Sequence, residues 1–263
     1  MSKQQADRTE TELWYLPYSP WSEKARWALD VLGVPYRKRI YQPLIGELGL
    51  RALVKRPRGR VSVPVLRTAS GAIAESLDIA RYAGAHARAQ GSRIELFPAG
   101  RERDIARYDA LSEAGLSAGR ARALQRLLEK DSALAELVPP VLRAGLGKLA
   151  PRLAAMAIRR TLRKYEADRV SESAHERVLG EALDALRADL KRSTAQAEPK
   201  TLLEHFSYAD ITMAQILAFI EPPKLGLRIG TETRETFRDP VFGPRYADLI
   251  AWRDELYEKY RRT

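Results

Sequence analysis

The stretch Leu13-Trp14-Tyr15-Leu16-Pro17-Tyr18-Ser19-Pro20-Trp21-Ser22 decides the fold, because in it an apolar strand pattern passes through a short loop into a helix. The segment 13–16 predicts the strand, and apolar residues at helical spacing from Trp21 to Leu32, ended by Gly33, predict the helix. Ser19-Pro20-Trp21-Ser22 has the form of a Cys-Pro-x-Cys redox box with serine in both cysteine positions. The chain contains no cysteine, so any reactive sulfur at this helix N-terminus must come from a bound thiol.

Two functions are open for Ser19. Serine is a favoured N-cap residue and proline is favoured at the first helical position, so the pair fits an ordinary helix start. Alternatively, the Ser19 hydroxyl donates to an anionic sulfur, assisted by the unpaired N–H groups and the positive end of the helix dipole. Ser22, one turn further on, fits better as a first-turn polar residue and is the second candidate.

Residues 10–87 alternate between strand and helix patterns. After the first strand and helix, the order continues with a half-buried strand, a weak helix, two strands joined by the turn Ala69-Ser70-Gly71, and a last helix beginning at Glu75. These segments are Tyr36–Tyr41, a helix somewhere in Ile45–Val54, Val61–Arg67, Ala72–Ala74, and Glu75 through Tyr82. The βαβαββα order, closed by a hairpin, predicts an α/β thioredoxin-like domain.

The rest of the chain is predicted to be helical. Residues 88–100 form a linker rich in polar residues, glycine and proline, and residues 101–263 form an all-α helical bundle domain. Six segments have apolar residues at intervals of three and four: Arg103–Ala114, Ala118–Glu129, Leu149–Ala167, Glu176–Arg192, Ala209–Ile220 and Arg245–Tyr260. Ser207-Tyr208-Ala209-Asp210, with a carboxylate three residues after a hydroxyl, predicts a structural capping box.

Two dipeptides in the first domain suit a ligand with peptide character. Proline cannot donate to a sheet ladder, so Val63-Pro64 predicts either an edge strand or a cis peptide that exposes the Val63 backbone to a ligand; its place before the hairpin favours the second. Glu75-Ser76 fits ordinary first-turn chemistry. It also fits a site in which Glu75 pairs with a ligand ammonium while Ser76 and its N–H hold the adjacent carboxylate.

Composition restricts the partners. The formal charge of +11 attracts anions, but the basic clusters lack a recognisable nucleic-acid motif or interleaved aromatic residues, so no nucleic acid is expected as partner. No segment is apolar and long enough to span a membrane, the start of the chain does not resemble a secretory signal, and three separated histidines predict no metal site. A cytoplasmic protein is expected. The basic clusters are Arg51, Lys55, Arg56, Arg58 and Arg60, and Arg159, Arg160, Arg163 and Lys164.

Together these motifs resemble the cytosolic glutathione transferase superfamily, over Leu13 to Tyr82 and again over Phe206 to Ala214. The first helix is most similar to the zeta- and omega-like branches, whose catalytic serine or cysteine falls at Ser19. The resemblance implies a transferase that uses glutathione as co-substrate against an electrophilic small molecule, or for isomerisation or reductive displacement, with no metal. It also implies a homodimer.

The resemblance further implies roles for single residues. Ser19 would be catalytic, and glutathione would be bound by Val63, Pro64, Glu75 and Ser76. A basic residue would meet the glycyl carboxylate, with three candidates, and aromatic residues would line the second-substrate pocket. These candidates are Arg51, Lys55 and Arg60 for the carboxylate, and Tyr18, Trp21 and Tyr108 for the pocket.

One segment departs from the family pattern. Leu137–Tyr165 is longer and more basic than the family leads us to expect, which puts the shape of the substrate pocket in question.

The alternative function is a transferase-like binding or regulatory protein without turnover, because a fold alone does not imply an activity.

Overall fold

The computed structural model describes residues 11–43 and 46–261. A four-stranded sheet with the order β2-β1-β3-β4 lies in the first part of the chain. Strands β1 and β2 are parallel, whereas β1 with β3 and β3 with β4 are antiparallel, as a βαβ unit followed by a hairpin requires. The strands are β1 (Glu12–Tyr15), β2 (Arg37–Ile40), β3 (Val65–Thr68) and β4 (Gly71–Ala74). This order confirms the predicted α/β N-terminal fold.

Three helices cover the two faces of this sheet. They are α1 (Pro20–Val31), α2 (Glu47–Leu53) and α3 (Ser76–Ala89). Leu13 and Leu66 of the sheet belong to the main core with residues of α1 and α3, whereas Val65 packs with Leu50 of α2 in a separate cluster. Helix α2 therefore lies on the opposite face from α1 and α3. The predicted helix in Ile45–Val54 is found, although Ile45 itself lies outside the described residues.

One strand prediction is corrected, and one open alternative is decided. Strand β2 was predicted to be half-buried, but all four of its residues are exposed because β2 is an edge strand rich in arginine and lysine. Pro64 does not lie in an edge strand, since β3 is an interior strand and begins only at Val65. The Val63–Pro64 peptide is cis, as the alternative interpretation predicted.

The second part of the chain is helical, in agreement with the prediction. Helix α3 extends to Ala89, and the next helix begins at Glu102. Helices α4 and α8 are the longest and pack against each other in the core. The helices are α4 (Glu102–Leu128), α5 (Asp131–Glu136), α6 (Pro140–Leu146), α7 (Ala150–Lys164), α8 (Glu172–Arg192), α9 (Tyr208–Ala214), α10 (Thr231–Phe237), α11 (Phe242–Arg245) and α12 (Ala247–Tyr260), with 3₁₀ turns at Gly147–Leu149, Ala167–Arg169 and Gln215–Phe219.

The helix boundaries differ from the sequence prediction in α4. Two helices were predicted, Arg103–Ala114 and Ala118–Glu129, but α4 runs unbroken through the gap between them. Gly115 does not end a helix; it allows close packing, because a Cβ at this position would lie 3.2 Å from both Ala182 and Ile216. Among the described residues, no helix is long and apolar enough to cross a bilayer.

Candidate functional site

The sheet register brings three of the predicted motif segments to one edge. Trp14 pairs with Val65, and Val65 pairs with Ala74. The end of β1, the start of β3 and the end of β4 therefore lie side by side. Because the chain continues from these ends into the Ser19 loop, back into Val63-Pro64 and on into Glu75, these residues meet at the same edge of the sheet.

Ser19 occupies the N-cap position of α1. Its backbone is extended, and its Oγ accepts a hydrogen bond from the Ser22 N–H at 3.4 Å. The Ser19 side chain is partly exposed, so its O–H remains available to a bound molecule. Both interpretations of Ser19 thus fit the geometry, since accepting from a backbone N–H leaves the hydroxyl hydrogen free to donate.

Ser22 stabilises the loop before α1 and is not accessible at the sheet edge. The residue is completely buried, and its Oγ accepts the Leu16 N–H at 3.1 Å. This bond ties the end of β1 to the first turn of α1 and so helps to fix the position of Ser19. The geometry agrees with the prediction of Ser22 as a first-turn polar residue.

Val63 offers backbone groups at this edge. The residue is 9% exposed, and its N–H and C=O make no hydrogen bond with any residue of the described ranges 11–43 and 46–261. Unpaired backbone groups on a buried residue are uncommon, since they cost about as much as a lost hydrogen bond. A peptide-like ligand lying along Val63 would satisfy both groups.

Glu75 and Ser76 stand where β4 enters α3. Glu75 has a φ of 69°, in the left-handed region that non-glycine residues rarely adopt, while Ser76 is buried as the first residue of the helix. Backbone outliers of this kind concentrate at functional sites. Desolvation, followed by the charges of Glu113 and Asp78, raises the pKa of the Glu75 carboxyl. A cation beside Glu75 would stabilise the ionised carboxylate.

A buried ion-pair network joins α1 to α4. Lys24 is completely buried, and its Nζ lies 2.6 Å from Glu113 and 3.5 Å from Asp109. Glu113 also accepts the Trp21 indole N–H at 2.6 Å. Because a buried lysine requires a paired charge, this network fixes how α1 packs on the helical part of the chain. Sequence patterning did not single out Lys24.

Arg120 of α4 contacts two aromatic rings, that of Trp21 in α1 and that of Tyr165 at the end of α7. The Arg120 guanidinium lies 4.7 Å from the centroid of the Trp21 ring and 3.8 Å from that of Tyr165. Burial lowers the pKa of Arg120, and neither a hydrogen bond to a carboxylate nor a salt bridge joins Arg120 to any described residue. Tyr18 is 48% exposed, and desolvation together with Tyr41 raises the pKa of its hydroxyl.

Tyr108 is not brought to this group, contrary to the prediction. It is buried against Arg107, and desolvation followed by the charge of Asp189 raises the pKa of its hydroxyl to about 12. It lines a cavity of about 230 Å³ with residues at the C-terminal end of α8. The reason is helical geometry: Tyr108 and Glu113, which contacts Trp21, are five residues apart and face different sides of α4.

The basic candidates separate into two groups. Arg51 and Arg60 line a cavity of about 380 Å³ next to Val61, whereas Lys55 is not part of its wall. Three cations of α7 complete the wall: Arg160, Arg163 and Lys164. The sequence showed them as a basic cluster, but only the fold places them opposite residues 59–61, about a hundred positions earlier.

The predicted capping box is confirmed. The Ser207 N–H donates to Asp210 at 2.8 Å, and the other Asp210 oxygen accepts the Leu202 N–H at 2.8 Å. Burial raises the pKa of this carboxyl to about 6. The motif is structural and sets α9 in the core. Within the described ranges, no group of three or more histidine, aspartate or glutamate side chains is arranged to hold a metal ion.

Comparison with known proteins identifies the fold. Residues 18–86 match the family model for the glutathione S-transferase N-terminal domain. A solved glutathione transferase from Phanerochaete chrysosporium is 18% identical, with a TM-score of 0.64 and coverage of 97% of this chain and 99% of that one. No curated protein sequence matches the chain.

Two other similar structures contain glutathione. A glutathione S-transferase of Ceriporiopsis subvermispora, in complex with glutathione, is 18% identical, with a TM-score of 0.59 and coverage of 97% of this chain and 98% of that one. A glutathione S-transferase from Methylobacillus flagellatus, with glutathione bound, is 15% identical, with a TM-score of 0.57 and coverage of 95% of each chain. The fold is that of the glutathione transferases, and the resemblance drawn from the sequence is confirmed.

Proposed function

We propose that this chain belongs to the cytosolic glutathione transferase superfamily and is an enzyme that binds glutathione and uses its thiolate to attack an electrophilic small molecule. Isomerisation and reductive displacement begin from the same thiolate and belong to the same proposal. The observation that carries it is the meeting of Ser19, the unpaired backbone of Val63 and the Glu75-Ser76 turn at one sheet edge.

Each part of glutathione has a matching group at this edge. The cysteinyl backbone would pair with the N–H and C=O of Val63, beside Pro64, as an added strand. The ammonium of the γ-glutamyl end would pair with Glu75. The carboxylate of the same γ-glutamyl end would accept hydrogen bonds from Ser76 at the N-terminus of α3. Arg51 or Arg60, rather than Lys55, would meet the glycyl carboxylate, because both line the cavity beside Val61.

Ser19 would hold the sulfur as a thiolate. Its O–H would donate to the sulfur while its Oγ continues to accept from Ser22. A thiol titrates near 8.5, so a depression of two units requires roughly 2.7 kcal/mol of preferential thiolate stabilisation. A charge-assisted hydrogen bond together with a helix N-terminus supplies an effect of that size. The proton of the thiol would leave to solvent before the sulfur attacks.

The first experiment tests glutathione binding. We expect retention on immobilised glutathione, and elution by free glutathione, as well as turnover with at least one member of an electrophile panel. Absence of any glutathione binding by the folded protein would remove the transferase proposal.

The Ser19→Ala variant tests activation. We expect kcat to fall about 10- to 1000-fold, the range that corresponds to losing about 1.4–4 kcal/mol of transition-state stabilisation, while glutathione affinity changes little. The apparent thiol pKa of bound glutathione should rise, which ultraviolet absorbance of the thiolate measures.

Ser171→Ala is the matched control. Ser171 is the N-cap of α8, its Oγ accepts the Ala174 N–H at 3.2 Å, and it lies outside the site. Either variant should lose about 0.5–2 kcal/mol of stability as a helix cap. Only Ser19→Ala should lose turnover. If both variants turn over normally, Ser19 is only a cap.

A binding or regulatory protein without turnover is the second candidate. The observation that favours it is that the Ser19 hydroxyl already serves as a helix cap. Tight glutathione binding with no turnover across the panel would select this candidate.

A cytoplasmic homodimer completes the proposal, by analogy with the family. Light scattering should give about twice the monomer mass of 29.6 kDa at micromolar concentrations. A mass near that of the monomer would contradict the dimer but not the glutathione site.

A further inference from the structure

The basic cavity lies between α2, residues 59–61 and the C-terminal end of α7. Its volume is about 380 Å³, within the range of small-molecule sites. Five cationic side chains and one carboxylate line it: Arg51, Arg60, Arg160, Arg163, Lys164 and Glu47.

The charge of this cavity is far from balanced by the protein. Glu47 is already engaged, at 2.7 Å from Arg51 and 3.6 Å from Arg160. Five positive charges against one negative charge leave a net charge of +4 around the cavity. The Arg163 guanidinium makes no hydrogen bond or ion pair with any other residue in the described ranges. The glycyl carboxylate of glutathione would neutralise only one of these charges.

Specific contacts hold the two walls of the cavity together. The Lys164 Nζ donates to the Val61 carbonyl at 2.8 Å, and the Arg60 guanidinium donates to the Lys164 carbonyl at 3.2 Å. Arg60 and Lys164 also lie over the ring of Tyr165, at 5.9 Å and 5.5 Å from its centroid. These contacts hold Arg60 and Lys164 in place beside Val61, which lies two residues before Val63.

The environment of the cavity disfavours the positive charge of Lys164. Burial, followed by the charges of Arg160, Arg51 and Arg120 and opposed by that of Glu47, lowers the pKa of Lys164. Cations held close together with too few carboxylates gain most from an anion carrying several charges. Arginine binds such oxyanions through two parallel hydrogen bonds, which favours phosphate and polycarboxylate groups.

We propose that this cavity binds a multiply charged oxyanion, a phosphate, pyrophosphate or polycarboxylate group, on the molecule that reacts with glutathione. The identification of that molecule as the second substrate rests on the proposed function; the anion site itself does not. The long basic segment Leu137–Tyr165, which departs from the family pattern, then has a role, because α7 supplies three of the five cations.

The test measures pyrophosphate binding by calorimetry at constant ionic strength, with and without saturating glutathione. Wild type should bind pyrophosphate in both conditions, and glutathione should weaken that binding less than about three-fold. Acetate, with a single charge, should bind at least ten-fold more weakly. Equal binding of acetate and pyrophosphate would contradict the multiple charge.

A pair of double variants locates the site. Arg160→Gln with Arg163→Gln removes two cavity cations and should weaken pyrophosphate binding at least ten-fold. Arg152→Gln with Arg159→Gln removes the same charge from exposed positions of the same helix, outside the cavity, and should weaken it less than three-fold. Thermal unfolding checks that both double variants are folded.

Each remaining outcome has one meaning. Equal effects of the two double variants would show diffuse attraction by the basic face, and the proposal would be wrong. It would also be wrong if an oligonucleotide bound more tightly than pyrophosphate and both double variants weakened that binding equally. Complete competition between glutathione and pyrophosphate would assign the cavity to the glycyl carboxylate alone. Pyrophosphate binding without glutathione binding would keep the anion site but remove the transferase function.

Discussion

Glu75 illustrates how a single residue combines strain and charge. Its backbone is in the left-handed region, and its carboxyl has a raised pKa because of desolvation and the nearby charges of Glu113 and Asp78. Both properties lower the stability of the folded protein, so a favourable interaction is needed to offset them. A ligand ammonium beside Glu75 would supply it, because the cation would favour the ionised carboxylate.

We therefore predict a pH dependence of ligand affinity. As pH falls through the raised pKa of Glu75, the carboxylate takes up a proton, its charge is lost, and the affinity for the ammonium decreases. This loss should begin at a higher pH than for an ordinary glutamate. Calorimetry with S-methylglutathione measures it without interference from thiol ionisation.

The Glu75→Gln variant provides the control. It should bind S-methylglutathione more weakly than wild type at neutral pH and should lose the pH dependence in the acidic range. If Glu75→Gln keeps the wild-type pH dependence, Glu75 does not pair with the ammonium.

At the residue scale, sequence predicted what lies close along the chain. Ser19, Val63 and Glu75-Ser76 were found because each stands at a junction that the strand and helix patterns mark. Arg120 and Tyr165 were missed, because they meet only when α4 packs beside the end of α7. Tyr108 was grouped with Tyr18 and Trp21, but it lies beside the end of α8, since an aromatic residue at helical spacing does not reveal which neighbour its face of the helix will meet.

At the element scale, α4 shows where periodicity misleads. A gap of three residues, 115–117, separates the two helices predicted from the sequence, but the helix continues through it, and Gly115 faces Ala182 of α8 and Ile216 at close range. Helices α5, α6 and α10 were missed because six or seven residues are too few to show a helical period. Long amphipathic helices such as α8 were predicted with good boundaries.

We predict that Gly115→Val destabilises the protein by about 1–3 kcal/mol, the usual effect of overpacking a core. A Cβ at Gly115 already lies 3.2 Å from two side chains, so the γ-methyl groups of valine would force α4 and α8 apart. Ala114→Val is the control, since Ala114 is exposed on the same helix and should lose only about 0.5 kcal/mol through helix propensity. Urea unfolding compares them. Equal losses would show that the α4–α8 contact tolerates added volume.

At the scale of the whole molecule, the end of the last helix, α12, is joined to the first helix, α1, by ion pairs. The Arg261 Nε lies 2.6 Å from Glu23, and its Nη1 lies 2.8 Å from Asp30, both residues of α1. Glu23 is completely buried and also pairs with Arg26 at 3.1 Å. The Trp27 indole donates to the Tyr260 carbonyl at 3.1 Å. The helix that begins at Ser19 is therefore held in place from the far end of the described chain.

We predict that Arg261→Ala lowers the free energy of unfolding by about 3–5 kcal/mol, because it leaves the carboxylate of Glu23 buried with fewer compensating charges. Arg177→Ala is the matched control: Arg177 pairs with Glu181 at 3.1 Å on the exposed face of α8, and its loss should cost at most about 1 kcal/mol. Adding Glu23→Gln to Arg261→Ala should recover part of the lost stability, since the buried charge is then removed. Urea unfolding measures all three variants. Equal losses from Arg261→Ala and Arg177→Ala would mean that the contact between α1 and the end of α12 does not stabilise the fold.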